Sequence, residues 1–187
     1  MTLRKLPHYL YLRIEHLRAR IYNLHPDISI GKGTSIEKGA VIRPVSHWGR
    51  GKIVIGKNCY IGCDSQLVPS EKGSITIGDN STVNPGCFLY GAGDIRIGNN
   101  VRIGPCCKIV AVNHVFKDPD KLICRQGVTT VGITIEDDCW IGASSTILDG
   151  VIVRTGNVIG AGSVVNRSTS EKTVYVGVPI RPIKHRE

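Results

Sequence analysis

The chain has 187 residues, of which 41% are hydrophobic, and this composition excludes a disordered chain and allows one domain with a sizeable core. Aromatic residues make up only 5%, too few for the stacking platforms that hold single-stranded nucleic acid, so we expect no nucleic-acid partner. The formal net charge of +9 favours a different anionic partner, such as a phosphorylated ligand or a membrane surface.

Compartment and redox state follow from the N-terminal region and the cysteines. Charged residues such as Arg13 and Glu15 interrupt each apolar run near the N-terminus, and no run reaches the ~18 apolar residues that a membrane span needs. The seven cysteines are an odd number without a Cys-x-x-Cys pair, which is typical of free thiols in a reducing compartment. We therefore expect a cytoplasmic protein.

The first predicted element is an amphipathic helix within residues 1–27. Its apolar residues recur at spacings of three and four, namely Leu10, Ile14, Leu17, Ile21 and Leu24. Pro7 suits the first turn and Pro26 follows the end. Arginines and a lysine make this helix basic. We expect it to cover the exposed end of the following domain or to pack on a neighbouring subunit; the alternative is peripheral contact with an anionic membrane.

A six-residue repeat occupies residues 28–168 and predicts the fold. Eighteen positions of this repeat are aliphatic: Ile30, Ile36, Ile42, Ile55, Ile61, Leu67, Ile77, Val83, Leu89, Ile97, Ile103, Ile109, Ile135, Ile141, Ile147, Val153, Ile159 and Val165. A period of six fits neither a helix nor a β-meander. It fits a flat strand and a turn repeated three times per coil, which predicts an all-β parallel β-helix of about six coils with the aliphatic side chains inside.

Four cysteines fall at the small-residue position of their hexads, namely Cys59, Cys87, Cys107 and Cys139. We interpret them as small core residues. The neighbouring Cys106 and Cys107 should face opposite ways on a strand, which disfavours redox chemistry between them. We expect no metal site.

The repeat is interrupted between Ile109 and Ile135, where the expected six residues become 26. Residues 113–132 therefore form a predicted loop that leaves the β-helix and carries His114 near its start. Long loops on a compact scaffold are usually functional. The residues after the last hexad, 169–187, are predicted to form a C-terminal tail.

The hexads, together with His114, Trp140-Ile141-Gly142, Gly160-Ala161-Gly162-Ser163 and Gly177-Val178-Pro179, resemble the hexapeptide-repeat acetyltransferases. The similarity is greatest to the maltose and galactoside branch, with the polysaccharide O-acetyltransferases and streptogramin acetyltransferases. The resemblance implies a left-handed helix, a homotrimer with active sites between subunits, and acetyl-coenzyme A as acyl donor.

By this resemblance His114 matches the family's general base, which takes the proton of a sugar hydroxyl as that hydroxyl attacks the thioester. Histidine side chains titrate near neutral pH and suit the role. Asn84 matches a residue that binds the acceptor or orients the reacting groups, although an Asn before Pro85 also suits a plain turn.

The resemblance also implies a set of residues that bind the coenzyme. Trp140, Ala143 and Ala161 match positions along the pantetheine arm, and Asn166 and Arg167 match contacts in the last coil. Arg181 and Lys184 match a basic tail that meets the nucleotide phosphates.

The acceptor half departs from the galactoside type. The segment from His114 to Trp140 is two residues longer than in those enzymes, and Gln126-Gly127 replaces an expected acidic residue. Together with the basic helix, this favours a saccharide unit of a bacterial surface polysaccharide or its lipid-linked precursor as the acceptor. The expected function is O-acetylation of a sugar hydroxyl.

Alternative functions stay open at this point. A sugar N-acetyltransferase or a streptogramin-type antibiotic acetyltransferase would use the same base and donor groove. A non-catalytic trimeric scaffold would use neither. A zinc hydratase of the γ-carbonic anhydrase type needs three histidines across the coils, but only His47 and His114 lie within the repeat region.

Overall fold

Three parallel β-sheets form the sides of a triangular prism, and each turn of the chain adds one strand to each sheet. The computed structural model describes residues 8–47, 49–70 and 73–187. The elements in chain order are α1 (His8–Tyr22); coil 1 with β1 (Ile28–Ile30), β2 (Ser35–Ile36) and β3 (Val41–Ile42); a hairpin of β4 (Val45–Ser46) and β5 (Gly49–Arg50); coil 2 with β6 (Lys52–Ile55), β7 (Tyr60–Ile61) and β8 (Gln66–Pro69); coil 3 with β9 (Ser74–Ile77), β10 (Thr82–Val83) and β11 (Phe88–Gly91); and coil 4 with β12 (Ile95–Ile97), β13 (Arg102–Ile103) and β14 (Lys108–Val110).

The chain then leaves the prism through β15 (Asn113–His114), a 3-10 turn (Ile123–Arg125) and β16 (Val128–Thr129). It returns as coil 5 with β17 (Ile133–Ile135), β18 (Trp140–Ile141) and β19 (Thr146–Leu148), and coil 6 with β20 (Ile152–Val153), β21 (Val158–Ile159) and β22 (Val164–Val165), before β23 (Thr173–Val176) and β24 (Arg181–His185). Sheet A contains β1, β6, β9, β12, β17 and β20; sheet B contains β2, β7, β10, β13, β18, β21, β23 and β24; sheet C contains β3, β8, β11, β14, β19 and β22.

The hexad residues form the core. All eighteen predicted aliphatic positions are buried, and within each sheet they stand directly opposite one another in register, as in the column Ile97, Ile135 and Val153. In sheet A the residue two positions earlier also points inward, and Ile95 and Ile133 are buried. The predicted coil number and inward residues are confirmed.

The small residues at the corners link successive coils by hydrogen bonds. Ser81 donates its hydroxyl to the Gly98 carbonyl of the next coil at 2.8 Å, and Cys139 donates its thiol to the Arg154 carbonyl at 3.1 Å. The thiols of Cys59, Cys87 and Cys107 make equivalent bonds to the carbonyls of Gly78, Gly104 and Gly142. The four cysteines are therefore small buried residues that also occupy a serine-like donor position, as their core assignment predicts.

The glycine of the hexad is explained by the close stacking of coils. A Cβ added to Gly98 would lie 2.8 Å from the backbone nitrogen of Asp137 in the next coil, closer than real Cβ contacts allow. The glycine is required by space rather than by backbone conformation at this position.

Helix α1 covers the open edge of coil 1 with a face other than its apolar stripe. Arg18 donates to the Ile36 carbonyl at 3.3 Å and Tyr22 to the Ala40 carbonyl at 3.3 Å, while Ala19 is buried against the first coil. Leu17 and Ile21 of the predicted apolar face are instead exposed.

Within one chain the apolar stripe therefore does not pack on coil 1, and its packing on a neighbouring subunit stays a prediction. The hydrogen bonds of Arg18 and Tyr22 satisfy edge carbonyls that would otherwise lack a partner from the chain. Arg4, Lys5, Pro7 and the side chain of Leu10 lie outside the described residues. Among the helices of the described stretches, none is long and apolar enough to cross a bilayer.

The residues predicted as a tail form two further strands. β23 adds to sheet B beside β21, and β24 folds back on it antiparallel. The buried side chain of Asn157 holds this segment by bonding Thr169 and accepting from the backbone nitrogen of Thr173 at 2.8 Å. Ile180 is fully buried. The C-terminal segment is thus part of the β-helix end.

Candidate active site

The loop between coils 4 and 5 is an arm with a rigid base. β15 and β16 pair antiparallel, which sets His114 opposite Val128, and the backbone nitrogen of Val115 donates to the Gly127 carbonyl at 3.0 Å. The His114 side chain is exposed. We call residues 113–132 the arm; it presents an imidazole on a short two-stranded ribbon and not on a free loop.

The carboxylate of Asp149 fixes the arm to coil 5. It accepts hydrogen bonds from the backbone nitrogens of Val131 at 3.0 Å and Gly132 at 2.7 Å. The backbone nitrogen of Gly150 adds a bond to the Gly132 carbonyl at 2.8 Å. Asp149 was not among the sequence-predicted site residues, because its role depends on a contact across 17 residues that no local pattern reveals.

Gln126 braces the outer part of the arm. Its amide oxygen accepts from the backbone nitrogen of Asp118 at 3.1 Å, and its amide nitrogen donates to the carbonyls of Asp118 at 2.9 Å and Lys121 at 2.7 Å. An acidic side chain lacks the two donors that these carbonyls require. The departure noted in the sequence therefore has a structural reason, which is closure of the arm's own turn.

Three of the predicted residues lie at the corner between sheets B and C, where Asn84 is level with Gly142 and Gly160, one residue before Ala143 and Ala161. Asn84 follows β10 in coil 3, Ala143 follows β18 in coil 5, and Ala161 follows β21 in coil 6. The carbonyl of Ala143 accepts from the backbone nitrogen of Gly162 at 2.8 Å, so the two alanines lie on adjacent coils. A Cβ on Gly162 would meet nothing within 4 Å. We call Asn84, Ala143 and Ala161 the BC column; its lower part is a ledge of small residues open to solvent.

Asn84 is held by the neighbouring coil. Its side-chain nitrogen donates to the Ile103 carbonyl at 2.7 Å, and its backbone nitrogen donates to the same carbonyl at 3.1 Å. This bond fixes the orientation of the amide, and its oxygen is the group left to accept from a ligand.

Trp140, Arg181 and Lys184 lie on sheet B and its last hairpin. Trp140 begins β18 and is 57% exposed, between Arg102 and Val158 in register. In β24, Arg181 pairs with Val176 and Lys184 with Val174, and both cations are exposed. Arg181 thereby extends the end of the BC column with a positive charge.

Asn166 and Arg167 lie at a different corner, between sheets C and A, after β22. Arg167 donates to the Ile180 carbonyl at 2.7 Å, which ties this corner to the C-terminal hairpin. Asn166 is exposed beside it. The family resemblance implies that Arg167 contacts the coenzyme, whereas within one chain its side chain bonds a backbone carbonyl.

His114 and the BC column lie at opposite edges of sheet C. The arm leaves from the corner after β14, whereas Asn84 precedes β11 at the other corner. At about 3.3 Å per residue, the five or six residues across the sheet separate them by roughly 15 to 20 Å. One chain therefore does not bring the predicted base to the predicted donor groove.

An aromatic pair lies on the outer face of sheet C between these two edges. Phe88 and Tyr90 stack with ring centroids 6.0 Å apart and an interplanar angle of 8°. Tyr90 is in register with Val110, shortly before the arm. The sequence signal for this pair is the i, i+2 spacing of two aromatic residues on one strand face. The pair was not among the predicted site residues.

A surface cavity lies at another corner of the prism, and the carboxylate that lines it already has partners. It has a volume of about 340 Å³ and is lined by Arg96, Glu136 and Thr155 at the corner between sheets A and B. Burial acts to raise the pKa of Glu136, but hydrogen bonds from Thr155 and the ion pair with Arg154 outweigh it and lower the pKa. Within the described part of the chain, no group of three or more His, Cys, Asp or Glu side chains is placed to hold a metal ion.

Comparison with known proteins agrees with this architecture. The protein-family model described as the hexapeptide repeat of succinyl-transferase matches residues 52–90 and 132–167. The chain is 31% identical over 141 residues to an Escherichia coli protein that carries the provisional name of lipopolysaccharide biosynthesis O-acetyl transferase WbbJ, and the match covers 72% of each chain. It is 26% identical over 185 residues to a provisionally named acetyltransferase of Mycobacterium tuberculosis, covering 97% of this chain but only 59% of that relative.

Among solved structures, a mutant of AntD, an N-acyltransferase from Bacillus cereus, superposes with a TM-score of 0.71 at 26% identity, covering 97% of this chain and 90% of that one. That AntD structure contains dTDP-4-amino-4,6-dideoxyglucose and coenzyme A. The likeness confirms the predicted left-handed parallel β-helix. The chain belongs to the hexapeptide-repeat acetyltransferases, in the branch that includes galactoside and lipopolysaccharide O-acetyltransferases.

Proposed function

We propose that this protein transfers an acetyl group from acetyl-coenzyme A to a hydroxyl group of a sugar, with His114 as general base. The observation that carries the proposal is an exposed imidazole on an arm whose base is clamped by Asp149, in a chain of this family. A base must be held within hydrogen-bond reach of the proton it takes, and a ribbon fixed at its root supplies that constraint.

The donor side is the BC column with the sheet B residues around it. A ledge made of Ala143, Ala161 and Gly162 lets a thin chain such as pantetheine lie against the backbone, and Trp140 offers an apolar wall. Arg181 and Lys184 supply positive charge for phosphates. The coenzyme A in the AntD structure supports this assignment. Arg167 and Asn166 stay in the proposed donor set as residues at the neighbouring corner.

The reaction needs one proton transfer and one acyl transfer. His114 accepts the proton of the sugar hydroxyl while the oxygen forms a bond to the acetyl carbonyl carbon. Collapse of the tetrahedral intermediate breaks the carbon–sulfur bond, and the sulfur leaves with the proton returned by the imidazolium. The products are an acetyl ester and free coenzyme A. Asn84, with its amide fixed on Ile103, offers an oxygen that orients the acceptor hydroxyl.

We further propose that the working form is a homotrimer in which the arm of one subunit meets the BC column of the next. The roughly 15 to 20 Å between the two halves within one chain supports this arrangement. The arm also exposes five large apolar side chains, Phe116, Leu122, Ile123, Val128 and Val131, each more than half accessible. A neighbouring subunit would cover them, because such a cluster is unusual on a monomer.

The acceptor class has two candidates. The likeness to WbbJ favours a hydroxyl of a bacterial surface saccharide or of its lipid-linked precursor. The likeness to AntD, whose structure holds an amino sugar on a nucleotide, favours N-acetylation as the second candidate, since an amine needs the same base. We adopt O-acetylation of the surface saccharide or its lipid-linked precursor as the proposed function.

The test is thiol release from acetyl-coenzyme A with three acceptor groups: hydroxyl saccharides, nucleotide-linked amino sugars and streptogramins. The His114→Ala variant should lose about 10²-fold or more of the acceptor-dependent rate. His16→Ala, which removes an exposed histidine from α1, is the matched control and should keep the wild-type rate.

Each outcome decides one part of the proposal. Turnover only with amino sugars would replace the O-acetyl assignment by the N-acetyl one. Turnover only with streptogramins would make the protein an antibiotic acetyltransferase. A wild-type protein that neither binds nor turns over acetyl-coenzyme A would be a trimeric scaffold. Light scattering on the same sample tests the trimer, and a monomer with full activity would contradict the shared site.

A further inference from the structure

The outward face of α1 has an unusual composition for an exposed surface. Leu17 and Ile21 are 53% and 58% exposed, on the side of the helix opposite the packing residues Ala19 and Tyr22. Leu24, in the turn just after the helix, is 83% exposed. At 100° per residue, Arg13 and Arg20 both lie on the side of Leu17 away from Ile21, and both are exposed. We call Arg13, Leu17, Arg20, Ile21 and Leu24 the outward helix face.

The exposed charges at this end of the prism are mostly positive, although the exposed carboxylate of Asp64 lies beside Gly39 of the first coil. The first coil adds exposed Lys32 and Lys38 at its corners. Three other acidic residues nearby are buried or paired: Glu15 is buried on the inner side of the helix, Asp27 pairs with Arg50, and Glu37 accepts from the backbone nitrogen of Cys63 at 2.7 Å.

We propose that the outward helix face binds the surface of an anionic phospholipid bilayer, with α1 lying in the plane of the headgroups. A helix that exposes an apolar stripe with arginines beside it has the composition of an interfacial helix: the leucine and isoleucine side chains enter the acyl boundary and the arginines meet the phosphates. The contact is peripheral.

Charge disfavours a second copy of this chain that binds this face by two-fold symmetry. Such a contact would bring Arg13 and Arg20 against their own symmetry mates, which like-charge repulsion disfavours. An anionic bilayer complements both the apolar stripe and the arginines beside it.

Assembly would strengthen the contact. In a cyclic trimer every copy of an element lies at the same height along the three-fold axis, so three outward helix faces would point to one end. Three linked contacts bind far more tightly than one. This step rests on the proposed trimer, whereas binding by a single face does not, and neither depends on the proposed acetyl transfer.

The experiment is sedimentation of the full chain with vesicles of phosphatidylcholine alone or with phosphatidylglycerol added. We expect binding to the anionic vesicles at about 0.15 M salt and much weaker binding at about 1 M, where the screening length falls from about 8 Å to about 3 Å. The double variant Arg13→Gln/Arg20→Gln should bind about 30-fold more weakly, because each cation near such a surface is worth about 1 kcal/mol. The control Lys108→Gln/Lys172→Gln removes the same charge from exposed positions elsewhere and should bind as the wild type does.

The apolar stripe is tested separately from the charges. Leu17→Ser/Ile21→Ser should weaken binding at least about 10-fold, while Val54→Ser, at a valine that is 41% exposed on sheet A, should not. A tryptophan placed at the two sites reports insertion directly: emission of Leu17→Trp should shift to the blue on anionic vesicles, and that of Val54→Trp should not. Both stripe residues are exposed, so circular dichroism should show an unchanged fold.

Three results would overturn the proposal. The first is a wild-type protein that ignores anionic vesicles. The second is equal binding by the wild type and both helix variants, which would place the lipid contact elsewhere. The third is loss of oligomers in Leu17→Ser/Ile21→Ser with vesicle binding unchanged, which would assign the outward helix face to contact between copies.

Discussion

In the six coils each hexad aliphatic side chain is buried and stacked on its equivalents above and below, whereas the arm leaves five large apolar side chains mostly exposed. The coils gain stability from many equivalent contacts among their inward side chains. The arm gains its position from a few bonds, chiefly those of Asp149 at its base and Gln126 near its tip. Stability and activity should therefore respond to different residues.

The largest expected effect is the difference in stability loss between two isoleucine-to-alanine substitutions, one in the coils and one in the arm. Ile103→Ala in the middle coil should lower the free energy of unfolding by about 2–5 kcal/mol, because it leaves a cavity in a fully buried column. Ile123→Ala in the arm, at a residue that is 55% exposed, should change it by less than about 0.5 kcal/mol. Urea unfolding of both variants measures the difference, and similar losses would mean that the arm packs as part of the core in solution.

The core could be predicted from sequence because the repeat gives one inward side chain per six residues, and burial alone enforces it. Ile97 and Ile103 are examples. The second inward column, with Ile95, lies two residues before the hexad position and was not part of the predicted core.

The helix shows where periodicity fails. Both sides of α1 carry apolar residues, so spacing could not say which side meets coil 1. The choice is made by Arg18 and Tyr22, whose hydrogen bonds to the Ile36 and Ala40 carbonyls satisfy an otherwise open β-edge. Such long-range partners are absent from local sequence.

The candidate site divides in the same way. His114 could be placed at the start of a projecting loop because the interruption in the repeat marks it. The residues of the BC column came from the family resemblance, and only Ala143 and Ala161 share a hexad position. Asp149 could not, since its partners Val131 and Gly132 become neighbours only after the arm returns to coil 5. The roles of His114, Asn84 and the donor residues stay predictions.

Removing the clamp should reduce activity more than stability. Asp149→Ala deletes two charge-assisted bonds to the arm base, and a displacement of about 1 Å at His114 can cost up to about 10²-fold, so we expect kcat to fall about 10- to 100-fold. The free energy of unfolding should fall by only about 1–2 kcal/mol. Steady-state kinetics and urea unfolding of the same preparation measure both.

The matched control is Asp79→Ala, which removes a corner carboxylate that accepts from the backbone nitrogen of Lys57 at 2.7 Å, far from the arm. It should lose similar stability and keep kcat. If Asp149→Ala also kept kcat, the arm would be positioned by a neighbouring subunit and its internal clamp would matter little.

The smallest expected effect is a loss of stability at alkaline pH. Burial raises the pKa of the Cys139 thiol from 9.0 to about 11, since a thiolate inside the prism would lose its hydration. Because the thiol has a higher pKa in the folded chain than in the unfolded one, its ionisation favours unfolding. The free energy of unfolding is therefore unaffected below about pH 9 and falls as the pH rises toward 11.

At about pH 10 the thiol of Cys139 should therefore cost the folded chain about 1 kcal/mol relative to neutral pH. Cys139→Ser keeps a donor for the Arg154 carbonyl but does not ionise in this range, so its free energy of unfolding should decline less steeply between about pH 8 and 10. Cys124→Ser, at an exposed cysteine of the arm, should follow the wild-type decline. Identical pH slopes for all three proteins would mean that water reaches Cys139, and that the corner between sheets A and B is as open as the arm.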